Sequence, residues 1–214
     1  MGAINVKHTG SGAAIALSSD GTSLLLDGTA IGGGGAALEL YAENPVSASS
    51  PTARSNNSVA IGSSADTYSN DTLAFGTDTI ASGTSSSAVG HLAKTTGSSA
   101  GAFGHNSLAS GQSSIALGNS QASGSNSFAA VITNNTTSYG ATNTSSIAIG
   151  KQAISSGAYG TAIGEATQAT ASNSVCIGYY SQATGQGSLA FGYDTQATGL
   201  QSTAIGLAAR NPIN

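Results

Sequence analysis

Charge is what this chain has least of. Only 7% of its 214 residues are Asp, Glu, Lys or Arg, where soluble proteins usually carry about a quarter. There is no Trp, and there are one Met, one Cys and three Pro. The single cysteine, Cys176, excludes a disulfide framework within one chain. A net charge of −4 and a pI near 5.0 give no basic footprint for nucleic acid or for an anionic membrane. No apolar run approaches the roughly 18 residues needed to span a bilayer as a helix. The segment Met1-Gly2-Ala3-Ile4-Asn5-Val6-Lys7 lacks the apolar stretch of a signal peptide. Thirty glycines and an abundance of Ser, Thr and Ala fill the space that charge leaves. Such a composition without order would read as low complexity, but here it is strictly framed.

The frame is a three-residue phrase, Ala-large apolar-Gly. Its glycines are Gly62, Gly76, Gly90, Gly104 and Gly118, and then Gly150, Gly164, Gly178, Gly192 and Gly206. Within each set the spacing is a constant 14; the gap from Gly118 to Gly150 is 32, or 14 plus 18. One further coil therefore belongs in the gap with Ile132 in the glycine slot, followed by a coil with four extra residues. A fixed period over this length signals a stacked array. Such a period is too short for a helical hairpin but suits two short strands and two turns. In Ser58-Val59-Ala60-Ile61-Gly62 the large side chains alternate with small ones, so they fall on opposite faces of a strand. A second glycine marker, Gly83, Gly97, Gly111, Gly157, Gly185 and Gly199, lies half a coil away and supplies the positive φ expected of a turn. The expectation is an all-β, parallel β-solenoid of about eleven coils. At about 4.8 Å per coil it forms a rod on the order of 50 Å long.

The phrase resembles a known family. Asn57-Ser58-Val59-Ala60-Ile61-Gly62, with Ala183-x-Gly185 and Ala197-x-Gly199, is similar to the repeat of the YadA-like head of trimeric autotransporter adhesins. The resemblance covers roughly residues 55 to 210. It implies a left-handed β-roll and a homotrimer of three rolls packed side by side. A thin coil argues in the same direction: it would enclose only two or three large side chains, a marginal core for one chain, and the small-residue face would let identical subunits approach. The chain departs from the adhesins in showing no signal peptide, stalk or C-terminal membrane strands. The same roll occurs in bacteriophage fibres, which need no export signal. The expected role is therefore a non-enzymatic virion structural protein, a trimeric tail fibre or head decoration at the virion surface. Alternatives are the head of a bacterial adhesin at the cell surface and an ice-binding solenoid. The last wants a file of Thr, and the slot three residues after the phrase glycine holds Thr79, Thr167 and Thr195 among Ala and Ser.

Around the array, residues 1–44 read as a small β-rich domain with strands at Ala3–Lys7, Ala13–Leu17, Ser23–Leu26 and Ala36–Tyr41. It would attach the fibre to another virion protein, cap the first coil, or both. Residues 45–56, with Pro45 and Pro51, read as a linker. The roll runs from 57 to 210, and 211–214 form its end. The insertion near 133–144 reads as a surface loop carrying Tyr139.

Chemistry-bearing residues are few. His91 and His105 follow phrase glycines in adjacent coils and should stand about 5 Å apart. They are metal-ligand candidates, but no Cys or carboxylate shares their slot, and two ordinary turn residues would look the same. No paired carboxylates, nucleophile-base set or phosphate loop occurs, so no catalytic residue and no cofactor is expected. Tyr179, Tyr180 and Tyr193 follow phrase glycines, and Tyr159 lies one coil earlier. With Tyr139 they are the candidates for contact with a host glycan or protein, since tyrosine stacks on sugars and on protein surfaces.

Overall fold

The computed structural model describes four strands within residues 1–48, and residues 49–131, 133 and 139–211. Chain contacts divide it into Met1–Leu38 and Glu39–Asn214. In the first unit, β1 (Ile4–Val6), β2 (Ile15–Ser19), β3 (Leu24–Leu26) and β4 (Thr29–Ile31) form an antiparallel sheet in that order. The first three fall within or beside expected strands, and β4 adds one. The expected strand at Ala36–Tyr41 lies outside the described residues.

The second unit is the expected parallel β-solenoid, with one sheet of 11 strands and one of 12. Each coil contributes one strand to each. The Ala of the phrase pairs with its counterpart in the next coil, as in Ala74↔Ala88↔Ala102↔Ala116. Backbone amides bridge coils in slanted parallel fashion, for example from Gly90 to Phe75 at 2.8 Å and from Leu92 to Thr77 at 3.0 Å. The stack begins earlier than the linker expectation allows: Thr52–Ala53 already pairs with Asp66–Thr67. At the other end Arg210–Asn211 still pairs with Gln196–Ala197.

The interior corrects the expected core. Large side chains do not fill the coil; alanines do. Ala74, Ala88, Ala102, Ala116, Ala148, Ala162 and Ala190 are fully buried, with Cys176 in the same file. The second sheet turns Ala81, Ala109, Ala122, Ala169, Ala183 and Ala197 inward to meet them. Between two sheets joined by such short turns there is room for methyl and hydroxymethyl groups and little more. Serine and threonine share this space, and many of their hydroxyls bond locally: Ser114 donates to the Gly111 carbonyl at 2.7 Å, Ser174 to Ala171 at 2.6 Å and Thr79 to Gly76 at 3.0 Å. A buried polar group so satisfied carries little penalty, whereas the buried hydroxyls of Thr67, Ser127, Ser155, Ser188, Thr195 and Ser202 have no such partner among the described residues. Burial raises the Cys176 thiol to about 11, as expected of a buried thiol in an alanine slot.

The large residues of the phrase therefore face outward. Phe75 and Phe191 are each 49% exposed, Val59 46% and Ile205 61%. The 11-stranded sheet thus carries an apolar outer face along the rod. The Thr file weighed for ice binding points the other way: Thr79, Thr167 and Thr195 are fully buried.

The two glycine markers serve different needs. Gly76 has φ +129, and a methyl group there would also lie 2.0 Å from the Gly90 carbonyl oxygen. Gly83 lacks the positive φ expected of it; it is required because a methyl would lie 1.9 Å from the Gly97 carbonyl oxygen. The left-handed corner of that turn falls two residues later, on Ser85 (φ 56), and in other coils on Asn57, Asp71 and Asn173. Short polar side chains tolerate this conformation better than most.

The gap between the two sets of coils is also corrected. Leu117 pairs with Ala130 and Ala130 with Ile149, spacings of 13 and 19 rather than 14 and 18. Val131, not Ile132, therefore stands in the glycine slot. The missing residue lies after Leu117, because Phe103↔Leu117 keeps the spacing of 14 while Leu108↔Gln121 has 13. The five extra residues lie between Ala130 and Gly140, which is back in register with Ile154.

Candidate functional site

The roll exposes its side chains in files, one residue per coil. The file just after the phrase glycine is polar along most of the rod: Ser63, Thr77, His91, His105, Asn119, Lys151 and Glu165. It then becomes Tyr179, Tyr193 and Leu207. In these last three coils the phrase strands lengthen to Val175–Tyr179, Leu189–Tyr193 and Thr203–Leu207, so Tyr179 pairs with Tyr193 across the coils. The parallel pairing holds their rings in a stack, with centroids 5.1 Å apart and planes 20° from parallel. Offset aromatic stacking at this separation is favourable.

Beside them the chain turns. Tyr180 (φ 53) and Asp194 (φ 51) occupy the same left-handed corner in successive coils. Tyr180 leans onto Tyr179 at 4.5 Å with a 58° tilt. Tyr179, Tyr180, Tyr193 and Asp194 line one shallow cleft. Asp194 is held from above: the Arg210 guanidinium donates to its carboxylate at 2.9 Å and also to its backbone carbonyl. Below, Lys151 donates to Glu165 at 2.9 Å, and this bond raises the lysine above its ordinary range. Desolvation, with the neighbouring Tyr180, Glu165 and Tyr193, raises the Tyr179 phenol, which stays protonated and able to donate near neutral pH.

The structure thus brings together three of the five candidate tyrosines. Tyr159 is exposed but occupies the left-handed corner of the other turn, away from the cluster. Tyr139 stands in the inward slot that Ala153 fills in the next coil and packs, half-buried, against the alanine core. His91 and His105 stack as expected, with ring centroids 5.2 Å apart. Among the described residues no group of three His, Cys, Asp or Glu gathers to hold a metal ion. Asp194 and Arg210 were not singled out in the sequence. Their signal was present in the frame, since Asp194 shares the Tyr180 slot one coil on.

A second ordered surface lies at the start of the roll. Arg54 makes a two-pronged ion pair with Asp66, at 2.7 and 2.6 Å, and its guanidinium lies 4.8 Å from the centre of the Tyr68 ring. Burial alone would raise the Asp66 carboxyl, but hydrogen bonds from Arg54 and Tyr68 hold it below its ordinary value.

No helix among the described residues is long and apolar enough to cross a membrane. The model of the YadA head domain repeat matches in eight segments, most of them overlapping: 53–79, 69–93, 81–107, 96–120, 109–130, 141–164, 155–181 and 183–209. No curated protein matches the chain. The segments omit 131–140, where the extra residues interrupt the frame, and they end where the last full coil closes. With the repeating register, the two parallel sheets and these matches in agreement, the chain belongs to the YadA head domain repeat family.

Proposed function

We propose that this chain is the adhesive head of a homotrimeric, non-enzymatic surface fibre. The observation that carries the reading is the outward apolar face of the 11-stranded sheet. Phe75, Phe103, Ile115, Phe191 and Ile205 are each at least 41% exposed along it, and a continuous apolar face of this kind marks an interaction surface. Each coil is too thin to bury these side chains itself. Three parallel rods related by a three-fold axis would place the same face of each against the others and close the assembly without a free apolar side. Light scattering tests this directly: the chain is 20.5 kDa, and a native mass three times that is expected. A single-chain mass overturns the trimer.

The setting we favour is a virion, as a tail fibre or head decoration. Residues 1–44, whose described strands form a separate antiparallel sheet, would join another virion protein, and the roll would project toward a host surface. A bacterial cell surface is the alternative, and the roll suits both. Mass spectrometry of purified particles and of the cell-envelope fraction separates them: peptides of this chain in particles support the first setting, and peptides confined to the envelope overturn it.

A further inference from the structure

We propose that Tyr179, Tyr180, Tyr193 and Asp194 form a binding platform for a neutral sugar ring, so that the roll recognises a glycan through this cleft. The proposal rests on the reading of the roll as an adhesive surface and names the ligand class for one place on it.

The geometry selects the ligand. Three phenol rings and a carboxylate are also the ingredients of a cage for a quaternary ammonium. In a cage, however, the cation sits between rings, within about 6 Å of each centroid. Here Tyr179 lies against both neighbours, at 5.1 and 4.5 Å. Ring-on-ring contact fills the gaps on either side of Tyr179, leaving no room there for a cation between rings. What is left open to solvent is the edge of the stack and the outer faces of its end rings: Tyr179, Tyr180 and Tyr193 are 39%, 49% and 54% exposed. The apolar C–H face of a pyranose fits the outer face of an end ring, Tyr193 or Tyr180, while phenolic hydroxyls and a carboxylate beside it match the sugar hydroxyls.

Charge points the same way. Asp194 is paired with Arg210 and Glu165 with Lys151. Among the described residues, therefore, the rim presents neither free cations for a polyanion nor an unpaired carboxylate for a cation. Arg210 also orients the Asp194 carboxylate, which keeps lone pairs for hydroxyl donors.

In a trimer formed through the apolar face, the cleft would stand at the edge of that face, at the ends of the strands that carry it. Its tyrosines Tyr179 and Tyr193 belong to a file that elsewhere holds His91, His105, Lys151 and Glu165, and the Lys151 side chain is 56% exposed. A file of that character lies at the rim of a dry interface, not inside it. Lengthened strands in the same coils stiffen the platform, since backbone pairing continues through Gly178↔Gly192 to Tyr179↔Tyr193.

The test uses the full chain on a printed array of neutral hexose and N-acetylhexosamine oligosaccharides, followed by titration with the best oligosaccharide. Wild type is expected to bind. Tyr193→Ala and Tyr179→Ala should each weaken binding about tenfold or more, as truncation of a central tyrosine does at hot spots. Tyr193→Phe, which keeps the ring, should retain most of it, and Tyr159→Ala at the other turn should change nothing. Native mass and melting temperature are recorded for every variant. Absence of binding to all the neutral sugars overturns the proposal, as does competition by tetramethylammonium. A change of oligomeric mass in Tyr193→Ala also overturns it, by assigning the ring to the subunit interface. Adhesion of the wild-type chain to host cells is measured in parallel. Adhesion that survives Tyr179→Ala and Tyr193→Ala refutes the sugar site alone, whereas its absence in wild type refutes the adhesive reading itself.

Discussion

Leu117 pairs with Ala130, one position short of a full coil, and Ala130 pairs with Ile149, five positions beyond one. The roll absorbs both errors without losing its alanine file, since Ala116, Ala129 and Ala148 remain in line and buried. The cost falls on the turns. Gly118 adopts φ 69 instead of the 111 to 139 of most phrase glycines, and Val131 is left in their slot at φ 57. A β-branched residue in the left-handed region is strained.

Val131→Gly should therefore stabilise the roll, by about 1 kcal/mol once the greater freedom of glycine in the unfolded chain is set against relief of the strain. A rise in the denaturation midpoint of the full chain checks it. A fall would mean that the 61% exposed valine makes a contact worth more than its strain.

Gly83→Ala tests the close approach of coils. With the Gly97 carbonyl 1.9 Å from the new methyl, the two coils must separate, and a loss of about 1–3 kcal/mol is expected, as for other overpacked sites. Ser85→Gly, at the left-handed corner of the same turn, should be tolerated. The opposite ranking, read from thermal melts, would place the constraint on backbone conformation and not on the gap between coils.

Phe75→Ser combined with Phe191→Ser removes two rings from the outer apolar face without touching the inward file. The native mass should fall toward that of one chain while the β-sheet circular dichroism signal is kept. An unchanged multimeric mass would assign the assembly to another face.

The Arg54–Asp66 pair gives a pH signature at the start of the stack. The folded Asp66 carboxyl lies below its ordinary value of 3.8, so its contribution is fully present above that value and is lost as pH falls through the lower, folded one. Asp66→Asn should lower the melting temperature slightly at neutral pH, and the difference from wild type should vanish in strong acid. A difference that persists there would trace to packing of the side chain.

Much of the fold was legible because its period is written in residue identity. Glycines such as Gly62 and Gly76 recur wherever a coil must pass close to the next, so counting them gave the frame, the coil number and the parallel pairing. What could not be read from alternation was which face is inside. Val59 and Ile61 against Ser58 and Ala60 is a symmetrical pattern until the coil's thickness is known, and ordinary hydrophobicity places the wrong set in the core. The register at Val131 failed for a related reason: 13 and 19 add up to the same total of 32 as the expected 14 and 18. At the candidate cleft, Tyr179, Tyr180 and Tyr193 announced themselves. Asp194 and Arg210 did not, because their pairing joins positions separated by more than a whole coil of chain.

A core made of alanine and small hydroxyls has no individual fit from one coil to the next. Any coil can stand on any other, so the gene can gain or lose the codons of a whole coil without a new packing problem to solve. Reach then becomes a quantity that selection adjusts separately from recognition. The tyrosine cleft can be carried nearer to or farther from the base of the rod, in steps of one coil, with its own residues unchanged.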